Sequence, residues 1–445
     1  MSISENYSDA SVTPPMSQAI PLGVQHVLAM FASNVTPAII IAGAAGLAFG
    51  GTEQIYLIQM AMLFAGIATL FQTIGFGPIG SRLPIMQGTS FAFVSVLFVI
   101  AKTQGLGVAL TACLIGGIIH FFLGTIIGRI RFLFPPLVSG LVILTIGLYL
   151  IPVAIKYAAG GAAKFQMEAA SYGSLMHWTV AGSVIVVSFI LKFWGKGLVS
   201  SAALLIGLIA GYVLAWIFGM VNLGGVTKAE IIAIPNFMPY GFEFSLGAVI
   251  AVTLICIVSA IETVGDTSGT TKAGAGRDAT DEEIAGATYA DGLGTAIAAI
   301  FGGLPNTSFS QNVGIIGMTG IMSKHVVTIA GIIMIVCGLI PKIGALIASM
   351  PMPVLGGGVI VMFGMVVAAG MNMLSEVKMN RRNMMIIAVS LAVGLGLNLE
   401  QSAVQYLPGV IKTMAVSGLL PTALIAIVLN QILMISLLQP LVHYL

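Results

Sequence analysis

The sequence predicts an all-α polytopic membrane protein, with fourteen transmembrane segments arranged as two inverted halves of seven. Three observations predict it. Of 445 residues, 58% are hydrophobic and only 7% charged, whereas soluble domains carry about 25% charged residues. Apolar runs of spanning length, about 20 residues, recur from Ile20 to the C-terminus. Lysine and arginine are also shared unequally between alternate connections. Aliphatic continuity within each run excludes an outer-membrane barrel, whose strands alternate every second residue.

Punctuation between the runs sets the segments. The first half holds 20–46, 55–74, a short run 90–101, 106–128, 136–155, 177–191 and 199–218. The second holds 246–264, 284–301, a short run 313–322, 326–347, 354–373, 384–397 and 422–437. Residues 1–19 contain no Lys or Arg and no cleavage pattern, so they read as a short disordered cytoplasmic tail rather than a signal peptide. With that tail inside, the inner connections hold eleven basic residues, including every arginine. The outer ones hold six: Lys102, Lys156, Lys164, Lys228, Lys342 and Lys412. Both termini are then cytoplasmic.

Seven is odd, so two such halves enter the membrane in opposite senses. An internal echo supports the repeat. Thr89-Ser90-Phe91 recurs 218 residues later as Thr307-Ser308-Phe309, and Pro136, Gly140 and Gly147 recur 217 residues later as Pro353, Gly357 and Gly364.

The third and tenth runs are too short to span. Each follows an extended polar or Pro-containing stretch, LPIMQGTS and LPNTSFSQN. Paired interrupted segments at corresponding positions point to a transporter's midplane binding site. Two half-helix N-termini would aim free N–H groups and positive dipole ends at a shared centre.

Most acidic residues fall in tails or connections; Glu262, Asp266 and Asp291 do not. An acidic side chain at a helix centre costs about 2.5–3.5 kcal/mol. No Lys or Arg lies mid-span to pair with these three, so a protonatable carboxyl or ligand contact explains Glu262 better than an ion pair. For Asp266 and Asp291 both readings stand. Glu262 and Asp266 are four apart, hence on one helical face. In the first span, Gln25-His26 reads equally as interhelical hydrogen bonder or site residue. His120 reads as structural, and His177, His325 and His443 as interfacial. Gln311 and Asn312 sit on what reads as an extended segment, pointing opposite ways, one to the cavity and one to the scaffold. Gln311 offers donor and acceptor, ionised Glu262 accepts only, and Phe91 supplies an aromatic face. Together they describe a pocket for a small heteroaromatic lactam.

Other chemistry is excluded. There is no HExxH, GxSxG or Walker lysine. GTTKAGAG, residues 269–276, lacks the GK[ST] ending and a preceding strand, and reads as a flexible inner loop. Gly124 and Gly128 form a GxxxG, consistent with close helix approach. Cys113, Cys256 and Cys337 lie in apolar runs as small hydrophobes. The formal charge of +2 marks no nucleic-acid partner.

SQNVGIIGMTG resembles the signature of the nucleobase–ascorbate transporter family: an acidic residue or Gln, then Asn-x-Gly and, five residues later, Thr. Gln311, Asn312, Gly314 and Thr319 fit. The likeness extends to Gln25-His26, QGTSFAF, ETVGD, ADG at 290–292, and NRR followed by LAVGLG. It implies two inverted repeats with short antiparallel strands at the broken segments 3 and 10. The tail, 1–19, precedes a core domain of segments 1–4 and 8–11 (20–128 and 241–350) and a gate domain of the rest (129–240 and 351–445). It also implies a homodimer in a bacterial cytoplasmic membrane, importing a nucleobase with a proton as coupling ion and no cofactor. Glu262 and Gln311 would bind the base, with Phe91, Ser310 and Ser90 lining the pocket. His26, Asp266, Asp291, Asn312 and Gln25 would support affinity or proton coupling.

Uracil permeases resemble this chain but carry Glu at the Gln311 position and typically His where Asp266 stands. The pattern here resembles the purine branch, which puts xanthine first and leaves uric acid, guanine and hypoxanthine open. Val313 replaces a third amide common in xanthine permeases. Uracil, and an anion exchanger of the sulfate-permease type, rank below; three buried carboxyls and no basic residue oppose the latter.

Overall fold

The computed structural model describes residues 8–133, 135–162 and 164–442; His443 lies outside them. All fourteen predicted segments are helical: α1 (Met16–Ala44), α2 (Thr52–Thr73), α3 (Phe91–Gln104), α4 (Leu106–Leu123), α5 (Pro136–Ala159), α6 (Leu175–Trp194), α7 (Ala203–Ile217), α8 (Leu246–Ala275), α9 (Asp281–Ile300), α10 (Ser310–Thr319), α11 (Lys324–Leu339), α12 (Met352–Ser375), α13 (Arg381–Leu399) and α14 (Leu419–Val442). A short helix, Pro341–Ala348, continues α11 at a 79° bend. The turn comes at Pro341, which lacks the N–H a straight helix would need.

Two strands complete the architecture. β1 (Gln87–Thr89) enters α3, and β2 (Asn306–Ser308) enters α10. They pair antiparallel, Gln87 with Ser308, Gly88 with Thr307 and Thr89 with Asn306. Backbone bonds from Ser90 N–H to Pro305 O and from Phe309 N–H to Met86 O, 2.9 and 3.0 Å, extend the ladder at both ends. Broken backbone deep in an apolar protein must find partners, and here each broken segment satisfies the other. The 218-residue echo marks this crossing.

Helices pack in two groups. In one, α4 lies against α8 and α9, and α11 against α1 and α2; in the other, α5 lies against α12, α6 against α7 and α12, and α13 against α14. At Gly147, an echo residue, a Cβ would stand 2.6 Å from Val367 Cγ2 and 2.9 Å from Phe363 O, so glycine is what lets α5 and α12 touch. Exposed Phe189, Ile190, Ile209 and Val213 on α6 and α7 give the apolar periphery that hydrocarbon requires.

The structure corrects four sequence readings. GTTKAGAG is no loop: α8 continues through Ala275 and stops at left-handed Gly276, and Lys272 pairs with Asp278 at 3.2 Å. The tail is docked over its described part. Ala10 packs on Leu83, Ile85, Ile316 and Met322, its carbonyl accepts from Lys324 N–H at 3.0 Å, and α1 already begins at Met16. Those contacts are tertiary and leave no local pattern. Only half of the GxxxG serves a close approach: a Cβ on Gly124 would stand 2.7 Å from the Tyr289 ring of α9, but α4 ends at Leu123 and Gly128 faces open space, and the backbone-to-backbone contact joins Gly117 and Gly292. Finally, Gln311 and Asn312 lie in the first turn of α10, not on a strand.

Candidate functional site

The site begins with two uncapped helix starts. Ser90 precedes α3 and Phe309 precedes α10, and neither helix has a side-chain cap. First-turn N–H groups therefore face inward with the positive ends of both dipoles. Asn34 fixes the crossing: buried on α1, it accepts from Thr89 N–H at 2.8 Å and donates to Ala61 O at 3.0 Å.

Helix α8 brings the carboxyls. Asp266 accepts from Ser308 Oγ at 2.6 Å and Ser310 Oγ at 2.7 Å, joining α8 to β2 and to the mouth of α10. One turn earlier, Glu262 lines a cavity of about 290 Å³ and makes no hydrogen bond among the described residues. Asp291 on α9 is fully buried one layer behind, accepting from Gln72 Nε2 at 3.1 Å, Gln87 Nε2 at 2.6 Å and Thr263 Oγ1. Its depth comes from its neighbour. A Cβ on Gly292 would lie 2.2 Å from Phe121 N, so only glycine lets α9 reach α4.

Ser90, Phe91, Glu262, Ser310 and Gln311 all line that one cavity, with Thr307, Ser308 and Phe309. Its far wall is apolar: Ile143 and Ile146 from α5, Met365, Val366 and Ala369 from α12. Phe91 also meets Phe363 of α12 edge-on, ring centroids 5.4 Å apart. Ser90 Oγ is buried without a partner. The remaining candidates stand behind the wall. Asn312 Nδ2 reaches His26 Nδ1 at 3.0 Å and donates to His26 O at 3.1 Å, riveting α10 to α1. Gln25 points elsewhere, donating to Ser201 Oγ at 2.8 Å. One residue apart on a helix, Gln311 faces the cavity and Asn312 the scaffold, the division expected for an extended segment but produced by a turn of about 100° per residue. His120 is buried with neither ring nitrogen bonded.

Sequence reasoning missed Gln72, Gln87, Asn34, Thr263 and the apolar far wall. Gln87 stood inside the quoted QGTSFAF and carried a signal; the others are ordinary residues of greasy helices until the fold aims them. Chemically the cavity offers one carboxyl, one amide, hydroxyls, an aromatic face and an apolar lid. That is the composition of a small-molecule site, mostly apolar with a few placed polar groups. Among the described residues no His, Cys, Asp and Glu set could hold a metal ion.

The bicarbonate transporter BicA of a cyanobacterium shares the fold, with a TM-score of 0.62 at 14% identity over 94% of this chain and 98% of that one. So does the murine anion transporter Slc26a9, TM-score 0.64 at 12% identity over 96% and 69%. Sequence relatives are closer in kind. The uric acid transporter UacT of Escherichia coli is 37% identical over 418 residues, 92% of this chain and 85% of that protein. The E. coli xanthine permease XanP is 34% identical over 438 residues, 94% and 92%. The Bacillus subtilis uric acid permease PucJ is 34% identical over 412 residues, 92% and 91%. The model of the Permease family, Xan_ur_permease, matches residues 17–402. The chain therefore belongs to this permease family, the nucleobase–ascorbate transporters, and transports rather than catalyses.

Proposed function

We propose that the protein imports an oxopurine, xanthine or uric acid, together with a proton. The carrying observation is that one cavity gathers Glu262, Gln311, Ser90, Ser310 and Phe91 between two half-helix starts and an apolar wall. The Gln311 amide suits a lactam edge with both N–H and C=O. Glu262 takes ring N–H groups, and Phe91 covers the ring. Named xanthine and uric acid permeases among the relatives support this substrate class.

Among the described residues Glu262 is the only charged one lining the cavity. An intramembrane carboxyl with no cation beside it marks a functional site; carrying the proton there, Glu262 lets proton and base load together and leaves the site neutral. The two helix groups supply the motion. The group holding α3, α8 and α10 carries the substrate as a rigid core, and α5 and α12 form the gate wall past which it slides. The positive-inside rule supports cytoplasmic termini, and the resemblance supports a bacterial inner membrane and a homodimer.

Anion transport, for which the structural neighbours are named, fits less well, and so does an anion exchanger, since an anion would meet the Glu262 carboxylate. Uptake of labelled xanthine in cells lacking their own permeases, challenged with purines and uracil, tests the reading. Xanthine and urate should compete, uracil should not, and a protonophore should collapse accumulation. Competition by uracil alone would overturn the substrate class, and accumulation indifferent to the protonophore would overturn the coupling ion.

A further inference from the structure

Gln311 borders two cavities. A second cavity of about 410 Å³ shares Ser310, Gln311 and Met365 with the substrate cavity and runs between α1 and α10 on one side and α6, α7 and α12 on the other. Its polar lining changes along the way. Ser33 and Ser188 lie within, Ser200 and Ser201 lie on the short helix Leu198–Ser201, and Lys192 at the end of α6 is the only charged one among the described lining residues. Lys192 forms no ion pair among the described residues. The hollow beside the C-terminal end of α3, lined by Thr103, Gln104, Ser245 and Lys412, shares no lining residue with the substrate cavity. The substrate cavity thus shares a wall with the cavity that reaches Lys192.

We propose that this second cavity is a transit subsite for the same heteroaromatic lactam, with Lys192 receiving it in its anionic form after it leaves Glu262. The inference rests on the oxopurine reading and adds a place to it. Charge decides the direction. Lactam N–H groups of oxopurines are weak acids, and their anions spread charge over ring oxygens. In the first cavity the single charged group is a carboxylate, which repels such an anion, whereas in the second it is an ammonium, which attracts it. Once Glu262 has released its coupled proton to water, the restored carboxylate pushes a urate anion from one cavity and the Lys192 ammonium draws it to the other. The serine hydroxyls between them give hydrogen-bond stations for ring nitrogens and oxygens. Gln25 and Ser201, bonded at 2.8 Å, hold α1 to the Leu198–Ser201 helix beside this passage.

An exposed cation contributes up to about fivefold in affinity, and salt screens it. The test uses proteoliposomes sorted into right-side-out and inside-out populations, so that inhibitor meets either the Lys192 face or its opposite. In the Lys192→Gln variant, the urate concentration giving half-inhibition from the Lys192 face should rise about fivefold. Hypoxanthine inhibition, from a less acidic base, should be unaffected, and gel filtration of the purified variant shows that it folds. High salt should erase the difference. Equal urate inhibition in both proteins, or an effect equal on both faces, would overturn the subsite while leaving purine transport standing. A wild-type protein that moves no purine would sink the subsite together with the transport reading.

Discussion

Gln87 donates its side-chain amide to Asp291 at 2.6 Å, tying the strand before the third segment to the ninth. Gln72 and Thr263 donate to the same buried carboxylate, so Asp291 holds the crossing from behind while Glu262 faces the cavity.

Removing that carboxylate strands buried donors, each costing about 1–3 kcal/mol. Asp291→Ala should therefore lower stability by at least about 2 kcal/mol and abolish uptake. Thermal unfolding of detergent-purified protein measures it; an unchanged melting temperature would show that the network carries no weight.

Close approach at Gly292 makes a second test. Gly292→Val forces α9 from α4 and should cost about 1–3 kcal/mol, the usual toll of overpacking. Gly128→Val, where nothing lies within 4 Å, should be neutral. Folded yield by gel filtration distinguishes them, and equal yields would contradict the packing described.

Gln311 faces the cavity, so Gln311→Ala should leave folding intact and raise the KM for xanthine about tenfold, two neutral hydrogen bonds at about 0.5–1.5 kcal/mol each. Initial-rate uptake against concentration reads it. A fall in maximal rate with unchanged KM would move Gln311 from binding to coupling.

Much of this was legible beforehand, for a physical reason. Hydrocarbon demands long apolar runs, so the fourteen segments and their two breaks were visible, and intramembrane polar residues are costly enough that Glu262, Asp266, Asp291 and Gln311 stood out. The tail and the end of α8 were misread because tertiary contacts at Ala10 and a left-handed stop at Gly276 decide them. Asn34 and Gln72 were missed because a lone amide in a helix announces no direction. Ile143 and Met365 could not be seen at all; an apolar wall looks like every other apolar face until the chain folds.

The central claim is that Glu262 holds the base. Titration of xanthine into purified wild-type protein and Glu262→Gln by isothermal calorimetry, with uptake measured at matched membrane levels, tests it most directly. The account predicts binding to the wild type, and for the variant normal folding and insertion with uptake abolished and affinity lowered at least about tenfold, as for a lost charged hydrogen bond. Wild-type affinity and uptake from Glu262→Gln would contradict it.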